Sequence, residues 1–514
     1  MRLNKINDNW DLIIIGGGIT GAGILREASR MGINVLLIEQ KDFAWGTSSR
    51  SSKLVHGGLR YLKDGRIFLT RDSVVERERL LREAPGLVEP IGFLMPIFKN
   101  SGPGRWLIEI GLTLYDLLAF KRQHNYFDKE SFKKIVPQIN DKDLTGGFRF
   151  IDAQVDDARL VLRVINEAVE NGATALNYIE AVSIIRNESG DLVGVKVFDP
   201  ETNDSKILST KAAINASGAW AEKLHPSPDS KLHIRPLRGS HLIFPADVLP
   251  IKEAVSFQHP EDNRPVFGFP WEGAVLFGTT DYDHNKDLNL EPRISKEEVT
   301  YLMNAVNSLF PSLNISLSDC IATIAGVRPV LSQGKLDPSK ESREHVVWID
   351  KGLVTITGGK LTTFRRLAWD ALKAVKPFLS ITKLSGKGDP VFSKITVSKP
   401  SDKKISDESW KRICGRYGNK ALDIVNQADN KDLENIPGTY TLWAELPHVA
   451  NEYIINLSDL LLRRVRIGLL TPDGGMQFMD RIKDLCSPYL QWDEQTWKKQ
   501  IENYYDLWIS SYKL

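Results

Sequence analysis

Gly16-x-Gly18-x-x-Gly21 has the spacing of a loop that cradles a pyrophosphate. The first glycine permits a tight turn, the second lets the backbone approach the anion, and the third lets the following helix pack closely on a strand. Free N–H groups at that helix's start would then hold the anion. Glu39 lies 18 residues after Gly21, where a carboxylate accepts hydrogen bonds from a ribose 2′-hydroxyl and repels a 2′-phosphate. The chemistry implied is dinucleotide binding, and the fingerprint alone fits FAD or NAD. Two features favour FAD: the motif stands at the extreme N-terminus, and Asn215-Ala216-Ser217-Gly218 follows an apolar run much further along, with Ala216 and Gly218 placed for a second dinucleotide contact. No second G-x-G-x-x-G is present for a separately bound pyridine nucleotide.

Such a loop needs a parallel sheet to position it. Residues 11–15 (DLIII), 19–30 and 34–38 (NVLLI) predict a strand, a helix and a strand of one β-α-β unit, hence a buried α/β sheet. Residues 212–217 and 353–357 predict further strands of that sheet, and 181–185, 192–198, 241–244 and 275–277 a second, largely antiparallel one. The expected fold class is α/β: a Rossmann-type FAD-binding domain interleaved with an antiparallel-sheet substrate domain over residues 8–384. A Lys-, Ser-, Pro- and Gly-rich linker is expected over 385–407. An all-helical C-terminal domain is expected over 408–514, with Leu457, Leu460, Leu461 and Arg464 on successive turns.

A chain of 514 residues has room for two or three such domains. Its 67 Lys and Arg against 65 Asp and Glu leave a net charge of +2, too little for a basic field, and no nucleic-acid partner is expected. Cys320, Cys414 and Cys486 are far apart and lack C-x-x-C spacing, which argues against a disulfide framework or a metal site and for a reducing compartment. The polar residues 1–10 suggest no leader. No stretch reaches the roughly 18 uncharged apolar residues of a spanning helix.

The run from Thr47 to Leu62 (TSSRSSKLVHGGLRYL) is far more distinctive than the glycines and resembles the signature of FAD-dependent glycerol-3-phosphate dehydrogenase, in the D-amino-acid-oxidase-like flavoprotein superfamily. DAQVDDARL at 152–160, NASGAW at 215–220, RGSH at 238–241, GTTD at 278–281, GVRP at 326–329 and GGKLTT at 358–363 match in the family's order, and DLLLRRVR at 459–466 resembles its helical C-terminal domain. Arg238 stands where many relatives have Lys, and Ser217 where Thr is usual. The resemblance implies FAD as cofactor and oxidation of sn-glycerol 3-phosphate to dihydroxyacetone phosphate. Electrons would pass to a membrane quinone; the alternative is an oxidase branch that reduces O2 to H2O2.

The resemblance also implies site residues. Arg60, Tyr61, Arg328 and Lys360 match the substrate region, and a dianionic phosphate monoester is well held by guanidinium forks and an ammonium. His56 and His241 are candidate general bases, with Arg328 stabilising a developing alkoxide. Thr47, Ser48, Ser49 and Lys53, then Gly359, Lys360, Leu361 and Thr362, are expected at the cofactor beside Gly16, Gly18, Gly21, Glu39, Ala216 and Gly218. The N–H groups of 358–363 would face the flavin pyrimidine edge. Residues 105–122 (RWLIEIGLTLYDLLAFKR), read as a helix, place Glu109, Thr113 and Asp116 on one narrow stripe with apolar residues across the rest. That profile suits an interfacial helix as well as a buried one. A peripheral location on the cytoplasmic face of the inner membrane follows from the quinone reading, and a homodimer is compatible with it.

Overall fold

The computed structural model describes residues 3–63, 65–99, 102–225, 233–332, 345–379, 386 and 388–514, with Arg60 and Lys63 described by their backbone alone. Among the described residues two sheets carry the FAD and substrate regions. In the first, strands run in the order His345–Asp350, Leu353–Gly358, Asp204–Asn215, Asn9–Ile15, Val35–Glu39 and Thr174–Asn177. All neighbours are parallel except the first pair. Ile15 lies opposite both Ile38 and Asn215, and Asn215 opposite Thr355. The carboxyl ends of the central strands are therefore level, and Gly16, Glu39 and Ala216 emerge along one edge, where open α/β sheets bind their ligands. Helix α1, Ile19–Arg30, crosses from the first strand to the second with ten of its twelve residues buried. Gly21 is required there: a Cβ would stand 1.9 Å from the Gly16 carbonyl oxygen.

The second sheet is antiparallel apart from the pairing of Ala254–Gln258 with Val88–Phe98. His233–Pro245 lies between Ala274–Gly278 and Ala322–Ser332, which brings RGSH, GTTD and GVRP side by side. Helix α2, Arg105–Ala119, follows from this sheet. Two strands expected in the second sheet belong to the first: Glu180–Arg186 pairs with Leu192–Asp199, which pairs with the amino-terminal half of Asp204–Asn215. The reason is the twelve-residue length of that last strand. Half of it pairs with the hairpin partner before it, and half continues into the parallel core.

The expected 384/385 boundary lies outside the described residues. Beyond it, most of residues 388–407 are exposed and without regular secondary structure, but the segment is anchored: Val391 and Phe392 are buried, Arg26 Nε donates to the Val391 carbonyl at 2.8 Å, and the Ser393 hydroxyl donates to Glu167 at 2.7 Å. The segment is a strap along the FAD-binding unit. The C-terminal region is helical and ends in α3, Glu494–Ser511. Leu457, Leu460, Leu461 and Arg464 lie on consecutive helical turns, though not of one regular α-helix. A short helix at Leu457–Asp459 passes into a π-helical turn at Leu460–Arg464, and all four side chains are wholly buried.

Candidate active site

A large cleft, with a volume of about 1580 Å3, runs from the carboxyl edge of the parallel sheet to the second sheet. That exceeds the roughly 300–1,000 Å3 of an ordinary small-molecule pocket and leaves space for a dinucleotide and a substrate together. Gly16, Gly18, Glu39, Thr47, Ser48, Ala216 and Gly218 line one part of it; His56, Tyr61, His241, Arg328, Gly359, Lys360, Leu361 and Thr362 line another. The sequence-derived set thus converges, with four exceptions. Gly21 is packed inside α1. Ser49 and Lys53 lie behind the wall: the Lys53 ammonium is fully buried, donating to Asp157 at 2.9 Å and to the Ser49 carbonyl at 2.6 Å. Lys53 is accordingly not a direct cofactor contact, because the charge on Asp157 holds it inward. Arg60 stands on the short helix Leu59–Lys63, and its side chain lies outside the described residues.

The residues present fit FAD. Gly16 (φ +114) meets the Ala216 strand end so closely that a Cβ would lie 2.6 Å from the Ala216 carbonyl oxygen, which presses the two dinucleotide segments together beside the N-terminus of α1. Glu39 accepts N–H bonds from Gly17 (2.7 Å) and Lys41 (2.8 Å), which fixes its carboxylate at the end of its strand; burial pushes its pKa up. The Ser48 hydroxyl accepts the Ile19 N–H at 3.0 Å, and the Thr47 hydroxyl donates to the Val327 carbonyl at 2.5 Å. These two side chains therefore brace the loop as well as line the cleft. Gly358 and Gly359 take left-handed φ values of 82° and 78°, turning the chain from strand Leu353–Gly358 into the Leu361–Thr363 turn and the following helix.

In the substrate part the Lys360 ammonium lies 3.6 Å from the Tyr61 ring centre, a cation–π distance, and Tyr61 stands 6.3 Å from the His56 ring. The Thr362 hydroxyl donates to the His56 carbonyl at 3.2 Å. His241 Nε2 and the Ser52 hydroxyl are 3.0 Å apart. Burial, with Lys53 and Arg328 nearby, pulls the His241 imidazole down to about 3, so it is neutral at ordinary pH. Arg328 Nη2 donates to Asp281 at 2.9 Å and to the Thr280 carbonyl at 3.1 Å.

Sequence reasoning did not single out Asp281 as the partner of Arg328, Ser52 as the partner of His241, or Asp152, which accepts the Gly57 N–H at 3.0 Å and so fixes the backbone beside His56. All three lie inside motifs already recognised, but their roles depend on pairings across up to 189 residues. Glu298, buried beneath the site, accepts from Arg238, Ser240 and Thr280; no motif pointed to it.

Comparison with known proteins agrees with this geometry. The family described as FAD dependent oxidoreductase matches residues 11–365, and the C-terminal domain of alpha-glycerophosphate oxidase matches residues 368–497. An aerobic glycerol-3-phosphate dehydrogenase of Staphylococcus aureus is 33% identical over 98% of this chain and 94% of its own. One from Staphylococcus haemolyticus is 34% identical over 90% and 88%. Among solved structures, the glycerol-3-phosphate dehydrogenase of Bacillus halodurans complexed with FAD superposes with a TM-score of 0.75 and 25% identity, covering 98% of this chain and 96% of that one. The L-alpha-glycerophosphate oxidase of Mycoplasma pneumoniae with FAD bound shares the fold at a TM-score of 0.59 and 19% identity, over 75% of this chain and 98% of that one. The chain belongs to the FAD-dependent oxidoreductase family, and its cofactor is FAD.

Proposed function

We propose that this protein oxidises sn-glycerol 3-phosphate to dihydroxyacetone phosphate and passes the electrons to a membrane quinone. The supporting observation is the course of the cleft. Arg328 and Lys360 line the part that also holds both histidines, and the same cavity continues along Leu107, Ile110 and Leu114 of α2. On the outer side of α2, Trp106, Leu107, Ile110, Leu117 and Phe120 are 75%, 64%, 65%, 67% and 89% exposed. Of the Glu109, Thr113 and Asp116 stripe, Thr113 is exposed and Glu109 half-buried. Asp116 is buried and accepts from His124 Nδ1 at 2.7 Å, which leaves the apolar side outward. A lipid surface covering that side would deliver an apolar acceptor to the wall of the cleft. No helix among the described residues is long and apolar enough to cross a membrane, and a peripheral position on the cytoplasmic face of the inner membrane fits this reading.

Gly16, Gly18, Glu39, Thr47, Ser48, Ala216 and Gly218 would hold FAD, which would supply the hydride acceptor for the carbinol carbon. The chain's own residues bind and orient the substrate. Arg328, Lys360 and Arg60 hold the phosphate dianion, with Asp281 keeping the Arg328 guanidinium in place until the anion arrives. His56 takes the hydroxyl proton. An imidazole pulled down to about 3 gains little by accepting a proton, which assigns His241 instead to orienting Ser52. Arg328 steadies the developing alkoxide.

Anaerobic spectroscopy of the yellow protein tests the proposal. Bleaching by sn-glycerol 3-phosphate and reoxidation by a soluble quinone but not by air is the expected result. Rapid reoxidation in air with stoichiometric peroxide would overturn the quinone assignment, and no bleaching would overturn the substrate.

A further inference from the structure

The loop at residues 47–53 supplies Thr47, Ser48, Arg50, Ser51 and Ser52 to the cleft, and it is held only partly from within, by the Arg50 N–H on the Thr47 carbonyl (3.2 Å) and the Lys53 ammonium on the Ser49 carbonyl (2.6 Å). Lys53 sits in the left-handed region at φ 55, a conformation that costs a side-chain-bearing residue about 1–2 kcal/mol. The C-terminal domain adds restraint at two points. Arg466 Nη2 reaches Asp157 (2.5 Å), whose other carboxylate oxygen accepts the Ser51 N–H (3.0 Å) and hydroxyl (2.7 Å); Arg466 Nη1 also donates to the Ser49 carbonyl (3.3 Å).

The second point is Arg50. Its guanidinium is buried and shared three ways: Nε donates to the Trp45 carbonyl (2.9 Å), Nη1 to the Tyr512 hydroxyl (2.9 Å) and Nη2 to Glu291 (2.5 Å). The Tyr512 hydroxyl donates in turn to the same Glu291 oxygen. The Tyr512 carbonyl accepts the Thr323 N–H at 2.8 Å and the Thr323 hydroxyl at 3.2 Å. Thr323 belongs to strand Ala322–Ser332, which carries Arg328. Gly326 of that strand packs so tightly on Arg50 that a Cβ would lie 2.6 Å from both the Arg50 Cβ and its carbonyl oxygen. One residue thus ties together three segments: the Tyr512 phenol joins the cofactor loop to the loop carrying Glu291, and the Tyr512 backbone carbonyl holds the strand carrying Arg328.

We propose that Tyr512 is a positioning residue for the cofactor: with Glu291 it locks Arg50, and through Arg50 it sets the 47–53 loop whose Ser48 caps α1 and whose Ser52 meets His241. The inference rests on the cleft as the FAD site and not on the substrate or the acceptor. Charge-assisted hydrogen bonds between buried groups are coupled, and a double-mutant cycle measures that coupling.

The test is titration of the apo-protein with FAD, followed by flavin fluorescence, for the wild type, Tyr512→Phe, Arg50→Lys and the double variant. Tyr512→Phe keeps the ring and its fold contacts, and it is expected to weaken FAD binding about tenfold. In the Arg50→Lys background the same change should cost little further. Wild-type FAD affinity in Tyr512→Phe would overturn the proposal, as would losses that simply multiply in the double variant, since packing of the C-terminal domain alone predicts one or the other. If Tyr512→Phe does not fold, Glu291→Gln removes the same lock from the other side and must show the same non-additivity with Arg50→Lys. Failure of the wild type itself to bind FAD would instead strike at the reading of the cleft.

Discussion

The two imidazoles in the cleft have different surroundings, and that difference separates their roles. His56 stands beside Tyr61, which carries the Lys360 ammonium on its ring, whereas His241 is buried against Ser52 and pulled down to about 3, chiefly by burial. A general base contributes about 10²–10⁴-fold when its pKa lies near the working pH. His56→Asn is therefore expected to slow flavin reduction by about that factor with FAD still bound. His241→Asn should be milder, and it should not remove the acid limb of kcat/KM. Arg328→Ala should raise KM more than tenfold, through loss of a charge-assisted fork worth about 1.5–3 kcal/mol, while the flavin spectrum is unchanged. Stopped-flow reduction of the three variants checks all of this; full reduction by His56→Asn would return the proton to His241. The histidines and cations were legible in the sequence because each lies in a dense motif. Their partners were not, since Asp281, Ser52 and Glu298 acquire roles only when paired strands bring distant segments together.

Among the elements, α2 is the one whose exposed side has no counterpart in the core. Its inner residues Leu112, Tyr115 and Ala119 are buried, and the helix packed beside it adds the exposed Ile67 and Phe68. Burial of one such side chain is worth about 1.5–3 kcal/mol. Trp106→Glu with Leu117→Glu, two exposed positions outside the cleft wall, is expected to reduce cosedimentation with lipid vesicles at least tenfold, and to leave reduction of a water-soluble acceptor unchanged. Vesicle binding equal to wild type would refute the interfacial role of α2. The amphipathic pattern was readable in the sequence, but its orientation was not: the acidic stripe would be expected to face water, and His124, eight residues after Asp116, draws it inward. The β-α-β unit was legible because its glycines, strands and Glu39 reinforce one another within 31 residues, 9–39. Strand-to-sheet assignment at 180–199 was not, because alternating apolar residues look alike whichever sheet they join.

At the scale of the whole molecule, arginines of the DLLLRRVR segment, with Arg416 of the helix Asp407–Tyr417, join the C-terminal domain to the FAD-binding unit through buried pairs. Arg463 and Arg464 meet Asp42, at 2.5 and 2.6 Å; Arg466 and Arg416 meet Asp156, both at 2.9 Å. Burial alone would raise the carboxyls of Asp42, Asp156, Glu272, Glu291 and Glu452. In each case facing arginines outweigh it and hold the pKa below its ordinary value. Such a group binds fewer protons folded than unfolded, so its stabilisation is complete above the unfolded value of about 4 and is lost as pH falls through the folded value. Asp152, Glu39 and Asp459, raised mainly by burial, act in the opposite sense. His241 adds to the acid loss between about 6.5, its unfolded value, and about 3. Lys53, lowered to about 8 by burial despite Asp157, makes stability rise with pH between about 8 and its unfolded value of about 10.4. The melting temperature should therefore decline below about pH 6.5 and fall most steeply below about pH 4. Asp42→Asn leaves the buried Arg464 without its carboxylate and Arg463 with Asp459 alone, and should cost about 3–5 kcal/mol at neutral pH, with a shallower decline on acidification because one titrating group is gone. Thermal melts of wild type and Asp42→Asn from pH 3 to 8 measure both effects. Parallel pH curves for the two proteins would show that the Asp42 pairs do not govern acid stability.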